Sequence, residues 1–225
     1  MNQKKIFCVD GNIGSGKTTL LRNLKANFPN EIDVITEPVD IWNTFGDEGQ
    51  GGLLSMFYRE PSNYAFKFQI MIFFTFVKEI VSKIKASTKP IIILERSPLS
   101  SLHVFIKMLR EEQIIDKLEG SLIDLMYEFY QDIGIDIVCN IFLEVTPVVC
   151  LDRIETRRRH GEDAISLGYL NKLNQKFKEY YTPDRHDVRY FDFNPSRLDV
   201  NYYWLVEANI MNLIRDLTNT RHMDI

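Results

Sequence analysis

The sequence predicts an α/β fold, a central parallel sheet of about five strands flanked by helices. Three observations carry that reading. Short apolar runs alternate with helix-spaced segments along the chain. Those runs are apolar throughout rather than at every second position, which suits strands covered on both faces. A glycine-rich turn follows the first run directly and leads into a helical pattern.

Residues 6–9 (Ile-Phe-Cys-Val) form the first strand, ended by Gly11. Residues 18–28 have helical spacing, with Leu20, Leu21 and Leu24 on one side. Residues 34–36 read as a second strand, stopped by Glu37-Pro38, and the polar, glycine-rich segment 47–52 reads as a loop. Residues 62–86 form one long helix with Phe66, Ile70, Phe73, Phe74, Val77, Ile80, Val81 and Ile84 at helical positions. Its middle is apolar nearly all round, which implies packing on two sides, one of them against a second subunit. Pro90 introduces a third strand, 91–94, that runs into Glu95-Arg96-Ser97. Helices are expected at 99–111 and 120–133, and a fourth strand at 137–143. Pro147 suits the first turn of a helix that leads into an arginine cluster. A last strand, 188–193, and a last helix, 202–218, complete one domain over residues 1–225, with no repeats.

A net charge of −4 excludes a protein built to coat nucleic acid, so any basic chemistry must be local. Cys8, Cys139 and Cys150 sit in apolar runs without the close spacing of a zinc site, and read as buried thiols in a reducing compartment. The uncharged stretch 68–77 is too short to span a bilayer, and Lys67, Lys78 and Glu79 bracket it. The first residues resemble neither a signal nor a transit peptide, so a cytoplasmic location is expected.

Gly11-Asn12-Ile13-Gly14-Ser15-Gly16-Lys17-Thr18 fits the Walker A pattern at every fixed position. Glycines let backbone N–H groups turn inward around phosphate oxygens, and the helix that follows offers its positive end to the anion. Lys17 is placed to reach the β- and γ-phosphates of ATP, and Thr18 to ligate Mg²⁺. Thr19 continues the turn. Open α/β sheets bind ligands beyond the carboxyl ends of their strands, and Glu37 and Glu95 both stand there. One carboxylate suits a base for an attacking hydroxyl, and the other suits the magnesium shell. Arg153, Arg157, Arg158 and Arg159, followed by Glu162, make a basic lid over about 153–163 that would neutralise a transferring phosphoryl group. Trp42, close after Glu37, is hard to bury from a loop and suits the wall of a base pocket.

These residues together resemble the deoxynucleoside kinases. The likeness rests on residues 11–19, Thr36-Glu37-Pro38-Val39 with Trp42, Phe68-Gln69, Glu95-Arg96-Ser97, and the arginine-rich stretch through Glu162. It implies a P-loop kinase fold and transfer of the ATP γ-phosphate, with Mg²⁺, to the 5′-hydroxyl of a deoxynucleoside in nucleotide salvage. It implies that Glu37 is the general base, that Arg96 lies beside it and the incoming phosphate, and that Glu95 belongs to the magnesium site. Tyr58, with Phe57 beside it, and Glu162 match the residues that hold the sugar 3′-hydroxyl. Gln69 matches the glutamine that reads the base edge, and Phe105 and Trp42 match aromatic walls. Arg157 and Arg159, with Arg153 before them, match the arginines that grip the donor phosphates. Where the cytidine and purine branches carry an arginine and an aspartate, this chain has Phe76 and Ser101, which implies a pyrimidine-leaning pocket accepting thymidine, deoxycytidine or both. The family's four-helix dimers suit a homodimer through a bundle that includes 62–86.

Two alternatives stand beside this. A nucleoside monophosphate kinase of the thymidylate type shares the P-loop and lid, but must seat an acceptor phosphate next to Glu37. A non-catalytic structural member of the fold would be expected to have lost some of Lys17, Thr18, Glu37 and Arg96, all present here. No Asn-Lys-x-Asp segment marks a GTPase.

Overall fold

A computed structural model describes residues 4–46, 52–194 and 200–220. Five parallel strands, β1 (Lys5–Gly11), β2 (Ile32–Ile35), β3 (Ile91–Glu95), β4 (Ile137–Glu144) and β5 (Val188–Asp192), lie in the order β2-β3-β1-β4-β5. The strand residues divide by parity. Phe7, Val9, Ile91 and Ile93 join one buried cluster, while Ile6, Ile92 and Leu94 join another on the opposite face. Both faces are dry, which is why the strands read as continuous apolar runs.

On the first face, Leu20, Leu21 and Leu24 of α1 (Lys17–Asn27) pack with Cys150 and Ile154 of α8 (Pro147–Arg157) and Ile210 and Ile214 of α10 (Val200–Thr220). Arg215 forks onto Glu31 at 2.7 and 3.0 Å, and Asn23 donates to Glu207 at 2.7 Å, so α10 is tied to α1 and to the turn that follows it. On the second face, Phe76 and Ile80 of α4 (Pro61–Ala86) meet Ile92 and Leu94. Beyond α4 a further cluster holds α2 (Val39–Thr44), α3 (Leu53–Arg59) and α7 (Lys117–Asp132). A reciprocal cap fixes the start of α7: Glu119 N–H donates to Asp116 and Asp116 N–H donates to Glu119, at 2.8 and 3.0 Å. All three cysteines are buried free thiols. Among the described residues no helix is long and apolar enough to cross a membrane.

Three departures from the sequence reading matter for the site. Trp42 lies on α2 rather than on a loop, and is buried. The helical stretch expected at 99–111 is broken into α5 (Pro98–Ser100), a π-helical segment Ser101–Ile106 and α6 (Lys107–Glu111). A whole helix, α9 (Leu167–Tyr180), packs Leu170, Leu173 and Phe177 inward and was not foreseen. Of the expected loop 47–52, residues 47–51 lie outside the described residues.

Candidate active site

Because every strand is parallel, the carboxyl ends of β1, β2 and β3 open on the same edge of the sheet. The pairing of Val9 with Glu95 and of Ile35 with Leu94 sets the P-loop, Glu37 and Arg96 side by side. A cavity of about 280 Å³ lies there. At one end it is lined by Lys17, Thr18 and Thr19, at its middle by Glu37, Glu95 and Arg96, and at the other end by Gln69, Ser101 and Phe105.

The P-loop is held in a conformation only glycine tolerates at its exit. Gly16 has φ of 99°, and a Cβ there would meet the Phe193 ring at 3.0 Å. Lys17 is buried and donates to the carbonyls of Gly11 and Asn12 at 3.1 and 2.9 Å. Burial, then the neighbouring Arg96, lowers its ammonium to about 8. The Ser15 hydroxyl is buried in the same loop without a hydrogen-bond partner among the described residues. A turn with an unspent hydroxyl, a desolvated ammonium and a helix N-terminus is an anion cradle.

Thr18 donates its hydroxyl to Glu95 at 2.5 Å. Burial raises the Glu95 carboxyl above its ordinary range, and the charge of Glu37 adds to this. A hydroxyl and a carboxylate side by side are hard oxygen donors of the kind that hold a divalent cation brought in with a nucleotide.

Arg96 stands at the head of the next turn with φ of 67°, unusual for a residue with a side chain. Its Nε donates to Glu37 at 2.9 Å, its Nη1 to Asp10 at 2.7 Å and its Nη2 to the Gly11 carbonyl at 3.2 Å. Burial alone would disfavour its charge, but Asp10 and Glu37 outweigh that and raise its pKa. Phe105 covers the guanidinium at 4.7 Å. Ser101 and Phe105 both lie in the π-helical segment, whose widened turn brings them to the cavity wall.

At the far end the wall is aromatic. Trp42 stands edge-on to Phe68 at 5.8 Å and donates its indole N–H to Thr75 at 2.9 Å, while Phe57 stacks on Phe68 at 4.9 Å. Gln69 is buried and lines the cavity. Tyr58 and Glu162 both line the cavity. Burial holds the Tyr58 phenol well above its ordinary pKa, with Tyr169 adding to the effect.

The lid arginines divide. Arg157 forks onto Glu162 at 2.8 and 2.7 Å and Arg159 reaches the same carboxylate at 3.4 Å; both line the cavity. Arg158 ends α8 in a left-handed conformation, exposed. Arg153 points elsewhere: it donates to the carbonyls of Ser15 and Phe193 at 2.9 and 3.0 Å and to the Tyr203 hydroxyl at 2.9 Å, bracing the P-loop from behind.

Phe76 requires a correction. It is packed in the core with Ile6, Ile35, Ile92 and Leu94, and is absent from the cavity wall. Gln69, Ile72 and Phe76 follow one another along the same side of α4; the first two line the cavity, and by Phe76 the helix has passed beyond it onto the sheet. Sequence reasoning also missed Tyr169, which meets Tyr58 edge-on at 5.8 Å, because its helix went unrecognised. Asp10 was missed because an acidic residue at a strand end looks ordinary.

The sequence matches the deoxynucleoside kinase family profile over residues 7–218. The chain belongs to the deoxynucleoside kinase family. It is 32% identical over 201 residues to a probable deoxycytidine kinase of fowlpox virus, covering 88% of this chain and 78% of that protein. Human deoxycytidine kinase is 29% identical over 197 residues, covering 78% of this chain and 75% of its own. A thymidine kinase of ictalurid herpesvirus 1 is 30% identical over 196 residues, covering 87% and 82%.

Proposed function

We propose that this protein transfers the γ-phosphate of ATP to the 5′-hydroxyl of a deoxynucleoside, with a preference for the pyrimidines thymidine and deoxycytidine, and serves nucleotide salvage. The observation that carries the reading is the placement of Glu37 and Arg96 at the middle of a single cavity, between the P-loop and Gln69. ATP phosphates would lie on the P-loop under Arg157 and Arg159. Thr18 and Glu95 would hold the accompanying Mg²⁺, which supplies charge neutralisation on the phosphates. Glu37 accepts the proton of the 5′-hydroxyl, and Arg96 holds positive charge where the phosphoryl group arrives. Tyr58 and Glu162 orient the sugar. Gln69 offers an amide, donor and acceptor together, to a base edge held between Trp42, Phe68 and Phe105.

The pyrimidine preference rests on the base end of the cavity, where Gln69, Ile72, Ser101 and Phe105 stand; no aspartate lines the cavity, and its arginines come from α1 (Arg22), the end of β3 (Arg96) and the lid (Arg157, Arg159). The fowlpox and herpesvirus relatives, a probable deoxycytidine kinase and a thymidine kinase, agree with a pyrimidine. The test is phosphoryl transfer from labelled ATP to each of the four deoxynucleosides and to thymidylate. Thymidine and deoxycytidine are expected to exceed both purines in kcat/KM by about 10-fold, the scale of one misfit contact. Product from thymidylate alone would overturn the acceptor assignment.

The working unit is proposed to be a homodimer. Along α7, Leu118, Leu122, Leu125 and Phe129 repeat at helical spacing and are exposed, and Phe74 of the neighbouring α4 is 58% exposed beside this pair of helices. Such a stripe on two adjacent antiparallel or crossing helices suits a bundle with a second copy. The expected face on α4 is therefore smaller, and that on α7 larger, than the sequence suggests. Sedimentation of the wild type at the mass of two chains is expected, and Leu125→Glu with Phe129→Glu is expected to sediment as one chain. A wild type that sediments as one chain at micromolar concentration would refute this.

A further inference from the structure

We propose that Asp10 is a positioning residue for the phosphoryl transfer: it turns the Arg96 guanidinium so that only one of its nitrogens, Nε, reaches Glu37, and Tyr181 fixes Asp10 in turn. The inference rests on the kinase reading above and deepens it.

Asp10 is fully buried. An ionised carboxylate without water is costly unless its oxygens are satisfied. Here they are: Oδ1 accepts from Arg96 Nη1 and from the Gly11 N–H, each at 2.7 Å, and Oδ2 accepts from the Tyr181 hydroxyl at 2.8 Å. Arg96 is buried as well, and its left-handed backbone is strained for a residue with a Cβ. Its own N–H is spent on the Val9 carbonyl at 2.9 Å, which ties the strained turn to β1 next to Asp10. Strain and two buried charges are thus gathered at one point, the kind of arrangement found where a functional geometry is being enforced.

The effect on Glu37 follows from the shape of a guanidinium. Nε and Nη2 form one edge of a planar fork, and that edge matches both oxygens of a carboxylate. Arg157 shows the unconstrained outcome in the same cavity, with Nε and Nη2 placed on the two oxygens of Glu162 at 2.8 and 2.7 Å. Arg96 does otherwise. With Nη1 anchored on Asp10, Nη2 falls on the Gly11 carbonyl and Nε alone meets Glu37 Oε1. Glu37 therefore keeps a carboxylate oxygen that Arg96 does not occupy, and this is the oxygen available to the substrate hydroxyl. Tyr181, which caps the unforeseen helix α9, holds Asp10 from the side away from the arginine. Phe105 and Phe177, themselves edge-to-face at 5.9 Å, crowd the guanidinium from adjoining directions at 4.7 and 5.4 Å, while Asp10 sets its in-plane angle.

A purely structural Asp10, serving the entry to the P-loop through the Gly11 N–H, would act without Arg96. A double-mutant cycle in the full chain separates the two. Asp10→Asn is expected to lower kcat by about 100-fold, with KM for ATP and for the deoxynucleoside changed less than about 3-fold, as for an interaction that matters in the transition state. Tyr181→Phe is expected to lower kcat by about 5-fold in the same pattern. In an Arg96→Ala background each change is expected to cost less than about 2-fold, because the residue being positioned is already gone. Losses that multiply across the cycle, or an Asp10→Asn enzyme with normal kcat, would overturn the proposal. Should Asp10→Asn fail to fold, the Tyr181→Phe pair with and without Arg96 decides it by the same criterion, and normal kcat in Tyr181→Phe then counts against it. A wild type that phosphorylates no deoxynucleoside would remove the kinase reading itself, an outcome visible before any variant is compared.

Discussion

Glu37→Gln is expected to lower kcat by about 10²–10⁴-fold, the range seen when a positioned base is lost. The substitution changes one thing. Glutamine keeps the length and volume of the side chain, and its carbonyl oxygen can still accept the Arg96 Nε hydrogen bond that Glu37 accepts at 2.9 Å. Arg96 is not orphaned either, since Asp10 and the Gly11 carbonyl retain its other nitrogens. The fold and the shape of the cavity therefore survive. What is lost is the carboxylate that accepts the substrate's proton. Thermal stability is expected to fall by about 1–3 kcal/mol, because the Arg96–Glu37 pair is largely buried and the amide replaces a charge-assisted hydrogen bond, while Asp10 still neutralises Arg96. Deoxynucleoside binding measured by calorimetry is expected to change less than about 5-fold, since the amide still offers a hydrogen bond to the 5′-hydroxyl. The decisive measurement is single-turnover phosphoryl transfer. A rate within about threefold of the wild type would mean that the proton goes elsewhere. It would leave Glu37 as no more than a partner for Arg96.

The architecture was legible where the physics is local. Strands β1, β3 and β4 are apolar on both faces, and the Walker turn has few alternatives because its glycines and lysine are each tied to a phosphate contact. What escaped was set by partners far away in sequence. The order β2-β3-β1-β4-β5 depends on which strands meet, and local pattern does not encode it. Helix α9 escaped although its signals are present: Ser166 caps it, its side chain accepting from the Tyr169 N–H, and Leu170, Leu173 and Phe177 have helical spacing. The Asn, Lys and Gln residues between them dilute the pattern. That miss had consequences, because α9 delivers Tyr169 to the cavity and ends beside Tyr181. Helices α2 and α3 are too short for a period to be seen. The helicity expected at 99–111 is present, but the π-helical segment Ser101–Ile106 adds about one residue per turn there, a change of facing that the apolar pattern does not announce. Phe76 was misplaced for a related reason. Correspondence with a family position said which residue sits there, whereas the facing of a phenylalanine in place of an arginine is decided by the core it enters, among Ile6, Ile80 and Ile92.

The lid raises a point of coupling. Arg157 and Arg159 converge on Glu162, the residue proposed to hold the sugar. A carboxylate shared between sugar and lid gives the two substrates a common partner. Engagement of the arginines by ATP phosphates would free Glu162 for the 3′-hydroxyl, and filling of the sugar site would free the arginines. Binding of one substrate then favours binding of the other through a contact exchange, with no movement required elsewhere.

Lys17→Met is expected to abolish useful turnover, lowering kcat/KM for ATP by about 10³-fold or more, while leaving the protein at least as stable as the wild type at pH 7. The two halves of that outcome have the same cause. Lys17 is buried, and burial lowers its ammonium to about 8 from an ordinary 10.5. A base whose pKa is depressed on folding weighs against the folded state wherever it must be charged. The cost is full below about pH 8, shrinks as pH rises, and is gone above the unfolded value of 10.5. At pH 7 a depression of that size corresponds to a cost of about 3 kcal/mol. Against it stand the two hydrogen bonds to the Gly11 and Asn12 carbonyls, whose loss costs about 1–3 kcal/mol in all. Methionine fills most of the same volume without a charge, so the balance falls near zero or on the stabilising side. Phosphate oxygens reverse the sign for the wild type: an anion in the cradle gives the buried ammonium the partner that the carbonyls only approximate, and the lysine exchanges them for it. Thermal denaturation at pH 7 with and without ATP reads both effects. The wild type is expected to gain stability with ATP and the variant to gain little. A Lys17→Met protein that melts well below the wild type in the absence of nucleotide would show that the lysine is there to hold the loop, not to wait for the phosphate.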